Sequence, residues 1–499
     1  MKKGIVKITG AGIGPKDMLT IKAKKALDAA DVIVYDRLLN SDIIKDYEGK
    51  KEMYYAGKTA GDHFLTQDQI NDLIVEKSKE GKNVVRLKGG DPYIFGRGGE
   101  EALYLLENGL DFEVIPGVTS GVLSLMYAGI PATFRDVATS ISFITGHRSQ
   151  GTENNFSAYA KLDGTLVFYM GLKNLKDLSA DLIEAGMDKD RPAAVIMHGG
   201  YPDQKIQVST VENIYADIQD KDFGSPSLIV IGEVIRLRDQ LNFYENLDLF
   251  SKKILVTRAR TQASSLSEKL TDLGAEVIEA PCIEIKERVD ENFTQALEDF
   301  KEKRYSHLVI HSVNGGEIFF KNFLKDHDIR DLAGVKICSI GKMTSKLIKS
   351  YGLKPDIEPD TYIGEELLDA IKRDLKNCGY KPRFFLPHSN LTREKLLNGY
   401  RDLGTLDSFV VYENTLPEEK VDFDKVDYIL FTSSSTVENF IKLYGKEKTA
   451  GAKIVSIGDI TSKTIEKFGL KLYGQSKEAT IDSLIEFLRE DSKNENEKN

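Results

Sequence analysis

The residues with the clearest potential for chemistry lie in the segment 84–101, VVRLKGGDPYIFGRGGEE. An apolar run stops at a Gly-Gly-Asp-Pro turn, and further glycines lead into a helix that opens with Glu100 and Glu101. A strand, a glycine loop and a helix start present backbone N–H groups to a ligand at the end of a sheet. Arg97 stands in the middle of this loop. A tight connection without a ligand is the alternative, but five glycines or prolines around an Asp and an Arg within ten residues disfavour it.

Short β-rich runs alternate with amphipathic stretches through the first half of the chain. The predicted strands lie near 3–9, 31–35, 84–88, 111–115, 141–146, 165–170, 193–197 and 227–232. Helical patterns lie between them, for example over 66–79 and 172–185. This alternation predicts an α/β protein with parallel sheets.

Length and composition limit the class of protein. The chain has 499 residues, of which 41% are apolar, and a net charge of −10. The length predicts two or more domains, and the charge provides no general attraction to nucleic acid or to a membrane. No run approaches the ~18 apolar residues of a membrane span. Cys282, Cys338 and Cys378 form no CxxC pair, so no disulfide framework and no thiolate metal site is indicated, and a cytoplasmic protein is expected.

The second half repeats itself. Residues 335–353, VKICSIGKMTSKLIKSYGL, match residues 452–470, AKIVSIGDITSKTIEKFGL, at an offset of 117. Upstream, 307–320 is similar to 428–441. Each unit is predicted as strand, polar turn, helix, strand, Ile-Gly-x-x-Thr-Ser and helix. Two units are too few for a solenoid, so we expect two similar α/β lobes with a ligand cleft between them.

Composition shifts place the predicted domain boundaries. We expect one domain over 1–242, a linker over 243–251, a two-lobed domain over 252–489 and a disordered tail over 490–499, which is strongly polar. The glycines of 10–14, GAGIG, do not form a dinucleotide fingerprint, because the third glycine falls one position too early and Pro15 follows. A nicotinamide enzyme is therefore unsupported.

Further fragments complete a pattern with the glycine loop. They are ITGAGIGPKDMLTIKA (8–23), ADVIVYDRLL (30–39), GVTSGVLSLMYAGIPATFRD (117–136), FITGHR (143–148), LVFYMGLKNL (166–175), VIMHGGYPDQK (195–205) and SPSLIVIGEVI (225–235). Over about 1–240 the chain resembles the uroporphyrinogen-III C-methyltransferases, a family of two-lobed tetrapyrrole methyltransferases. The resemblance implies S-adenosylmethionine as the methyl donor. The residues that it places around this cofactor are Pro15, Gly89, Gly90, Asp91, Ile94, Thr119, Ser120, Met170 and Gly199.

The implied substrate is uroporphyrinogen III, which carries eight carboxylates. An acidic protein can hold it only with a local basic lining, and the candidates are Arg37, Arg97, Arg135 and Lys88. Arg97, Asp36 and Glu100 are the candidate catalytic residues. Asp36 and Glu100 are either ion-pair partners of the arginines or acceptors of a proton. Taken alone, Met170 is expected in a core and His147 in a structural role.

Fragments of the second half are similar to uroporphyrinogen-III synthase over about 252–488. They are VTRA (256–259), EAPCIEI (279–285), FTSSSTVENF (431–440) and the two IGxxTS repeats. This family has two flavodoxin-like α/β lobes around a cleft, and the carry-over places at that cleft Thr344, Ser433, Ser434, Tyr412 and Thr461, the last two as catalytic residues. Arg258, Lys342, His388 and Arg393 are candidates for meeting carboxylates. The alternative for the Thr and Ser residues is ordinary helix capping.

The two resemblances together imply a bifunctional enzyme of tetrapyrrole biosynthesis. Its second half closes hydroxymethylbilane to uroporphyrinogen III, and its first half adds two methyl groups to give precorrin-2, an intermediate of sirohaem and cobalamin. No metal and no nicotinamide is expected. The methyltransferase family implies a homodimer through the N-terminal domain. In the alternative hypothesis, the second half is a non-catalytic binding or docking module.

Overall fold

The computed structural model describes residues 3–57, 65–146, 155–258, 260–360, 364–376 and 378–496, which form two compact units. The first unit contains the residues up to 252, together with 270–276 and the residues from 492 onward. The second unit contains residues 253–269 and 277–491. None of the helices in the described part of the chain has the length and apolar character that a membrane span requires.

The first unit contains two five-stranded sheets. Its strands are β1 (Val6–Gly10), β2 (Val32–Tyr35), β3 (Glu52–Tyr55), β4 (Val84–Lys88), β5 (Phe112–Ile115), β6 (Ile141–Thr145), β7 (Thr165–Tyr169), β8 (Pro192–Met197), β9 (Lys205–Thr210) and β10 (Ser227–Ile231). The first sheet has the order β3-β2-β4-β1-β5 and is wholly parallel. Every residue of β4 is buried, as expected for the centre of a sheet that is covered on both faces.

The second sheet, β6-β7-β10-β8-β9, is mixed. β10 runs antiparallel to both β7 and β8, and β9 runs antiparallel to β8. The prediction of parallel sheets is therefore wrong here, because the connection over 198–204 is a hairpin too short for a helical crossover. The sequence also gave no signal for β3 and β9. Both are edge strands whose residues are largely half-buried or exposed, so they lack an apolar run.

Nine helices belong to the described part of the first 252 residues. They are α1 (Ile21–Ala29), α2 (Ser41–Lys45), α3 (Gln67–Lys79), α4 (Gly98–Glu107), α5 (Ser120–Tyr127), α6 (Phe156–Tyr159), α7 (Leu175–Glu184), α8 (Ile214–Gln219) and α9 (Arg238–Leu241). The start of α3 is set by a capping box, in which the Thr66 hydroxyl accepts from the Gln69 amide and the Gln69 side chain accepts from the Thr66 amide. The predicted helices 66–79 and 172–185 correspond to α3 and to α7 with a short 3₁₀ turn before it.

The second half of the chain contributes ten strands and nine helices to the described structure. The strands are β11 (Lys253–Val256), β12 (Glu276–Glu279), β13 (Glu284–Glu287), β14 (His307–Ile310), β15 (Lys336–Ser339), β16 (Arg383–Ser389), β17 (Thr405–Thr415), β18 (Tyr428–Phe431), β19 (Lys453–Ser456) and β20 (Leu472–Gln475). The helices are α10 (Arg260–Asp272), α11 (Glu291–Glu298), α12 (Val313–Asp326), α13 (Lys342–Ser350), α14 (Gly364–Leu375), α15 (Glu394–Leu403), α16 (Ser434–Tyr444), α17 (Asp459–Lys467) and α18 (Ile481–Asn496).

These strands form two doubly wound sheets, so the predicted pair of flavodoxin-like lobes is confirmed. One sheet has the order β12-β11-β18-β19-β20, and we call the lobe around it the split lobe because its strands come from both ends of the segment. The other has the order β13-β17-β16-β14-β15, and we call its lobe the inserted lobe. The split lobe follows the 2-1-3-4-5 order of flavodoxin-like folds. In the inserted lobe the parallel strands β14 to β17 take the first four of these places, and β13, which precedes them in the chain, pairs antiparallel with β17 at the edge. In such folds ligands bind where the strand order reverses.

The internal repeat is also visible in three dimensions. Ser339 bonds Ser345 at 2.9 Å between hydroxyl oxygens, and Ser345 donates to the Glu358 carboxylate at 2.7 Å. At the offset of 117, Ser456 bonds Ser462 at 2.6 Å, and Ser462 donates to Gln475 at 2.5 Å. The serine of each IGxxTS motif therefore ties its helix to two neighbouring segments. The repeated segments nevertheless occupy different places, since β15 is the edge strand of its sheet next to β14, whereas β19 lies between β18 and β20 inside its sheet.

The predicted linker 243–251 is wrong, because this segment packs on the first unit. Tyr244 and Leu249 are buried, and the Tyr244 ring lies edge-on to Tyr127 with 4.6 Å between centroids. Glu245 accepts from Arg238 at 2.5 Å and from the Gln204 amide at 3.1 Å. Tyr244 and Leu249 thus extend the core of the first unit.

The predicted disordered tail 490–499 is wrong as far as Asn496, where α18 ends. Asp491 accepts from Tyr428 and Lys453, and Ser492 is buried. Glu495 lies 2.8 Å from the Lys252 ammonium. The segment lacks apolar residues, so its order depends on polar contacts that composition does not reveal.

Candidate functional site

Loops at the carboxyl edge of the first sheet approach one another through glycine backbone. Gly12 and Gly90 exchange backbone hydrogen bonds of 2.8 and 3.1 Å, which join the loop after β1 to the loop after β4. A Cβ on Gly117, after β5, would lie 2.3 Å from the Gly90 carbonyl oxygen, and one on Gly10 would lie 2.5 Å from the Gly117 nitrogen. Only glycine permits these approaches. The predicted cofactor residues Gly89 and Gly90 are therefore part of a compact three-loop backbone cradle.

Asp91 braces this cradle. Its carboxylate accepts from the Gly117 amide at 3.2 Å and from the Tyr93 amide at 2.9 Å. The side chain therefore fixes both its own turn and the start of the next loop. The role of Asp91 and Gly90 toward a cofactor stays a prediction.

The first turn of α5 is held from the second sheet. The Tyr169 hydroxyl, at the end of β7, lies 2.8 Å from the Thr119 hydroxyl and accepts from the Gly121 amide at 2.7 Å. Thr119 is the residue before the helix, yet its side chain does not cap it. The start of α5 thus has no cap from Thr119, and Tyr169 accepts from the Gly121 amide instead. The amide of Ser120, the first residue of α5, has no acceptor among the described residues and can donate to a ligand.

Loops after β7 and β8 complete this region from the second sheet. Met170 is 56% exposed, so the expectation of a core methionine is wrong. Gly199 is packed so closely on α5 that a Cβ there would lie 2.3 Å from the Ser124 Cβ. A Cβ on Gly14 would lie 3.1 Å from the Gly200 carbonyl oxygen. Pro15, which follows Gly14, precedes the 3₁₀ turn Lys16–Met18, and Ile94 packs against the apolar core around the second sheet.

Several residues of these loops have left-handed backbone conformations. Phe95, Arg97, Met170 and His198 have φ values of 53°, 58°, 56° and 49°. Such conformations are costly for residues with a Cβ and tend to be retained at ligand sites. Their concentration in loops after β4, β7 and β8 supports this end of the unit as the candidate site.

Arg97 and Glu100 form an ion pair on the surface. The Arg97 guanidinium lies 2.5 Å from the Glu100 carboxylate, and both side chains are more than half exposed. Its hydrogen bond from Arg97 lowers the pKa of Glu100. Two roles were considered for Glu100, ion-pair partner of an arginine and acceptor of a proton. In this structure Glu100 is an ion-pair partner. Arg37 and Arg135 are exposed, and neither has an ion-pair partner among the described residues.

Asp36 is also an ion-pair partner, and its partner was not predicted. The Arg86 guanidinium lies 2.6 Å from one Asp36 oxygen. Lys88, expected to line the substrate pocket, is instead 4% exposed and lies 2.8 Å from Glu101. That expectation is wrong for the conformation seen, because the alternation of β4 turns both cations into the sheet's buried face. Burial, with the nearby Arg86 charge, lowers the pKa of Lys88.

In the inserted lobe, a polar cluster lies at the strand-order reversal between β14 and β16. The Tyr412 hydroxyl lies 3.0 Å from the Ser312 hydroxyl, which also caps α12 by accepting from the Gly315 amide at 3.0 Å. His311 bonds the Tyr400 hydroxyl at 3.0 Å. Burial lowers the pKa of His311 to about 4, so its imidazole is neutral at pH 7. Tyr412 and Ser312 thus form a hydroxyl pair, and the neighbouring residue His311 forms a separate pair with Tyr400.

The predicted residues of the split lobe hold helix starts. Ser433 caps α16 through a capping box with Thr436, and Ser434 donates to the Ile460 carbonyl at 3.2 Å. Capping is therefore the observed role of Ser433. Thr461 is not a cap, since Gly458 precedes α17.

Thr344 occupies the same place in α13, after Gly341. Thr344 and Thr461 are buried, and neither hydroxyl has a hydrogen-bond partner among the described residues. The expectation of ordinary capping is therefore wrong for these two threonines.

The remaining candidates differ in accessibility. His388 is buried and bonds the Ser389 carbonyl at 2.9 Å, and burial lowers its pKa, so it offers no charge to a carboxylate. Arg393 is exposed and lies 3.0 Å from Glu365. Arg258 and Lys342 have partners of their own. His147, in FITGHR, lies outside the described residues. Among those residues, no group of three or more His, Cys, Asp or Glu side chains is arranged to hold a metal ion.

Each half of the chain matches a known protein family. Residues 7–215 match the tetrapyrrole (corrin/porphyrin) methylases, and residues 264–486 match the uroporphyrinogen-III synthase HemD family. A porphyrin biosynthesis protein HemD of Ruminiclostridium josui is 38% identical over 503 residues, covering 98% of this chain and 98% of that protein. The chain belongs to this HemD family. It joins a tetrapyrrole methylase domain and a uroporphyrinogen-III synthase domain, as the sequence motifs predicted.

Other relatives match the methylase half. A uroporphyrinogen-III C-methyltransferase of Bacillus subtilis (strain 168) is 45% identical over 245 residues, covering 49% of this chain and 95% of that protein. An S-adenosyl-L-methionine-dependent uroporphyrinogen III methyltransferase of Methanosarcina barkeri (strain Fusaro / DSM 804) is 43% identical over 241 residues, covering 48% of this chain and 94% of that protein.

Sequence reasoning missed several residues of this HemD-family protein. Arg86 was passed over, although Arg86 and Lys88 are the two cations of an otherwise apolar strand, and their spacing of two residues puts both on one face. Tyr169 and Ser312 gave no signal, because their contacts are made across long stretches of chain.

Proposed function

We propose that the protein is bifunctional. Its second unit closes hydroxymethylbilane to uroporphyrinogen III with inversion of the last ring. Its first unit transfers two methyl groups from S-adenosylmethionine to neighbouring rings and gives precorrin-2. The observation that carries the proposal is the end-to-end match to a porphyrin biosynthesis protein, together with the separate family matches of the two halves. The product of one proposed reaction is the substrate of the other.

Peptide groups in the loops of the first unit are suited to binding S-adenosylmethionine. The cradle of Gly12, Gly90 and Gly117, the Ser120 amide at the start of α5 and the exposed Met170 offer peptide groups and apolar contact with few charges. Such a lining suits a folded cofactor in a cleft. When bound, this cofactor supplies a methyl group on a positively charged sulfur.

The protein's task in methyl transfer is to hold and orient. In the substrate, an electron-rich pyrrole carbon forms the new C–C bond, the C–S bond breaks, and the resulting cation loses a proton. Because the nucleophile is carbon, alignment contributes most of the rate. Arg37, Arg97 and Arg135 are exposed and suit two-point contacts with carboxylates. An arginine is a poor base, because its guanidinium stays protonated in proteins.

The ring closure proposed for the second unit needs a shaped pocket with hydroxyl groups. Tyr412 and the unbonded hydroxyls of Thr344 and Thr461 supply such groups. The neutral His311, which precedes Ser312 in the chain and bonds Tyr400, is suited to hydrogen bonding rather than to ion pairing. Loss of water from the linear substrate requires a proton donor at the leaving hydroxyl, and we assign this to Tyr412.

We propose the location, the partners and the oligomeric state of the protein from its family and from its net charge. The protein works in the cytoplasm, binds no nucleic acid and forms a homodimer through its first unit. The methyltransferase domain covers 1–242 extended by the packed segment to 252, and the synthase domain begins at 253. Sedimentation of the full chain, which would give twice the 55.8 kDa chain mass, tests the dimer.

The two activities are tested separately. Supplied uroporphyrinogen III and S-adenosylmethionine should give, without oxygen, a product two methyl groups heavier. An unchanged mass would refute the methyltransferase assignment. The type III isomer from hydroxymethylbilane, without the methyl donor, would support the synthase. If only the spontaneous type I isomer forms, the synthase assignment fails, and the second unit is then a binding module.

A further inference from the structure

A buried ion network lies directly beneath the proposed methyl-transfer site. Glu101 Oε1 accepts from the Arg86 Nε at 3.1 Å, from the Lys88 Nζ at 2.8 Å and from the Gln67 amide at 3.1 Å. Arg86 also donates to Asp36 at 2.6 Å. Arg86, Lys88 and Glu101 are each at most 4% exposed. Four charged groups therefore share one site, and two cations balance two carboxylates.

Such a network contributes little to the net stability of the fold. Removing charges from water costs several kcal/mol per ion, and replacing a buried ion pair by apolar residues is often neutral or stabilising. The network is also incomplete, since Glu101 Oε2 is buried and has no hydrogen-bond partner among the described residues. Three donors converge on the other oxygen instead. Three donors that share one carboxylate oxygen are held in a fixed relative orientation, and this arrangement serves their positioning more than the stability of the fold.

The network connects the elements that carry the exposed arginines. Asp36 follows β2 and precedes Arg37, while Glu101 lies in the first turn of α4 and donates its amide to the Arg97 carbonyl at 3.2 Å. The loops also pack on each other, because a Cβ on Gly89 would lie 2.9 Å from the Leu38 carbonyl oxygen. Arg37 and Arg97 are thus tied to one buried carboxylate through backbone and ion pairs.

We propose that Glu101 is a positioning residue, which sets the relative placement of Arg37 and Arg97 for a carboxylate-bearing tetrapyrrole. The inference rests on the proposed methyltransferase function. The cofactor cradle does not depend on Glu101, since it is built from backbone bonds between Gly12 and Gly90 and from the Asp91 carboxylate. Loss of Glu101 should therefore affect the two substrates differently.

The test is steady-state kinetics of Glu101→Gln with uroporphyrinogen III and S-adenosylmethionine. We expect the KM for uroporphyrinogen III to rise about tenfold or more, while the KM for S-adenosylmethionine stays within about twofold. A purely structural role would lower kcat through loss of folded enzyme and leave both KM values unchanged. That result would overturn the proposal. An inactive wild-type enzyme would instead refute the function on which it rests.

A second variant covers the case in which Glu101→Gln does not fold. Gln67→Met removes one donor to the same oxygen without leaving a buried charge unpaired, and should raise the same KM about threefold. Unchanged kinetics for Gln67→Met in that case would overturn the proposal. The matched control is Glu107→Gln, because Glu107 lies on the same helix, is exposed and has no partner among the described residues. It should behave as the wild type.

Discussion

At the scale of single residues, Gly117 decides whether the three loops of the cradle can meet. A Cβ there would lie 2.3 Å from the Gly90 carbonyl oxygen and 2.7 Å from the Gly10 carbonyl carbon. These are backbone atoms, which cannot rotate away. We predict that Gly117→Ala lowers kcat/KM for methyl transfer at least about tenfold, because the cradle must open. Ring closure by the second unit should be unchanged.

The control for Gly117→Ala is Gly224→Ala. A Cβ on Gly224 meets no atom within 4 Å, and the residue is outside the left-handed region. Both activities should persist in this variant. Wild-type methyl transfer by Gly117→Ala would show that the cradle is not part of the site.

Tyr169 provides a second test at the residue scale. Its hydroxyl accepts from the Gly121 amide and bonds Thr119, and Tyr169→Phe leaves both groups without that partner. We predict a loss of about 1–3 kcal/mol in the free energy of unfolding, as for a buried group left unsatisfied. The KM for S-adenosylmethionine should rise, because the start of α5 loses its anchor.

Urea unfolding and methyl-transfer kinetics check this prediction. Tyr159→Phe is the comparison, since the Tyr159 hydroxyl has no hydrogen bond among the described residues. Equal stability and equal KM values in the two variants would contradict the role assigned to Tyr169.

His307 makes the stability of the inserted lobe dependent on pH. The residue is fully buried, and burial lowers its pKa from 6.5 to about 4. Between these values the unfolded chain binds a proton that the folded chain does not. The stabilisation is therefore complete above pH 6.5 and is lost as the pH falls toward 4, by roughly 3 kcal/mol for this one group.

Urea unfolding between pH 4 and 7.5 tests this dependence. His307→Asn, which does not titrate in this range, should give a flatter profile than the wild type. Some slope should remain, because burial also lowers the pKa of His311 and of His388. Identical profiles for variant and wild type would contradict the assignment.

At the scale of elements, the serines of the IGxxTS motifs connect helix, strand and the following segment in both lobes. Ser345→Ala frees Ser339 and Glu358, and Ser462→Ala frees Ser456 and Gln475. Each change should cost about 1–2 kcal/mol in the free energy of unfolding.

The two serine sites lie in different lobes and share no partner, so the double variant should show additive losses. Chemical unfolding of the single and double variants measures this. The exposed Ser350, which bonds only the Leu347 carbonyl of its own helix, provides the comparison variant Ser350→Ala. Losses no larger than in this variant would mean that the serines are not structural ties.

Strands and helices that contain a run or a periodic pattern of apolar residues could be predicted from the sequence. Edge strands and segments held by polar contacts could not. β4 is buried along its whole length and was found, whereas β9 is an exposed edge strand and was missed. The order at the end of α18 could not be predicted, because it comes from polar contacts of Asp491 and Glu495 with distant residues. Among candidate site residues, the glycines and Asp91 were recognisable from loop chemistry. The burial of Lys88 was not, because it depends on Glu101 from another element.

At the scale of the whole molecule, the repeat predicted two similar lobes but not their topology. The second strand of the repeat is an edge strand, β15, in one sheet and an interior strand, β19, in the other. Local similarity of strand, turn and helix therefore does not determine where a segment enters a sheet. The predicted linker was wrong for a related reason, since 243–251 supplies Tyr244 and Leu249 to the first unit.

The central claim is that one chain carries out two consecutive reactions on a tetrapyrrole. The most direct measurement is incubation of the purified full chain with hydroxymethylbilane, without oxygen, in the presence and absence of S-adenosylmethionine. Isomer analysis and mass spectrometry read the products. The account predicts type III uroporphyrinogen without the methyl donor and a product two methyl groups heavier with it. Type I isomer alone in the first case, or an unmethylated type III product in the second, would contradict it.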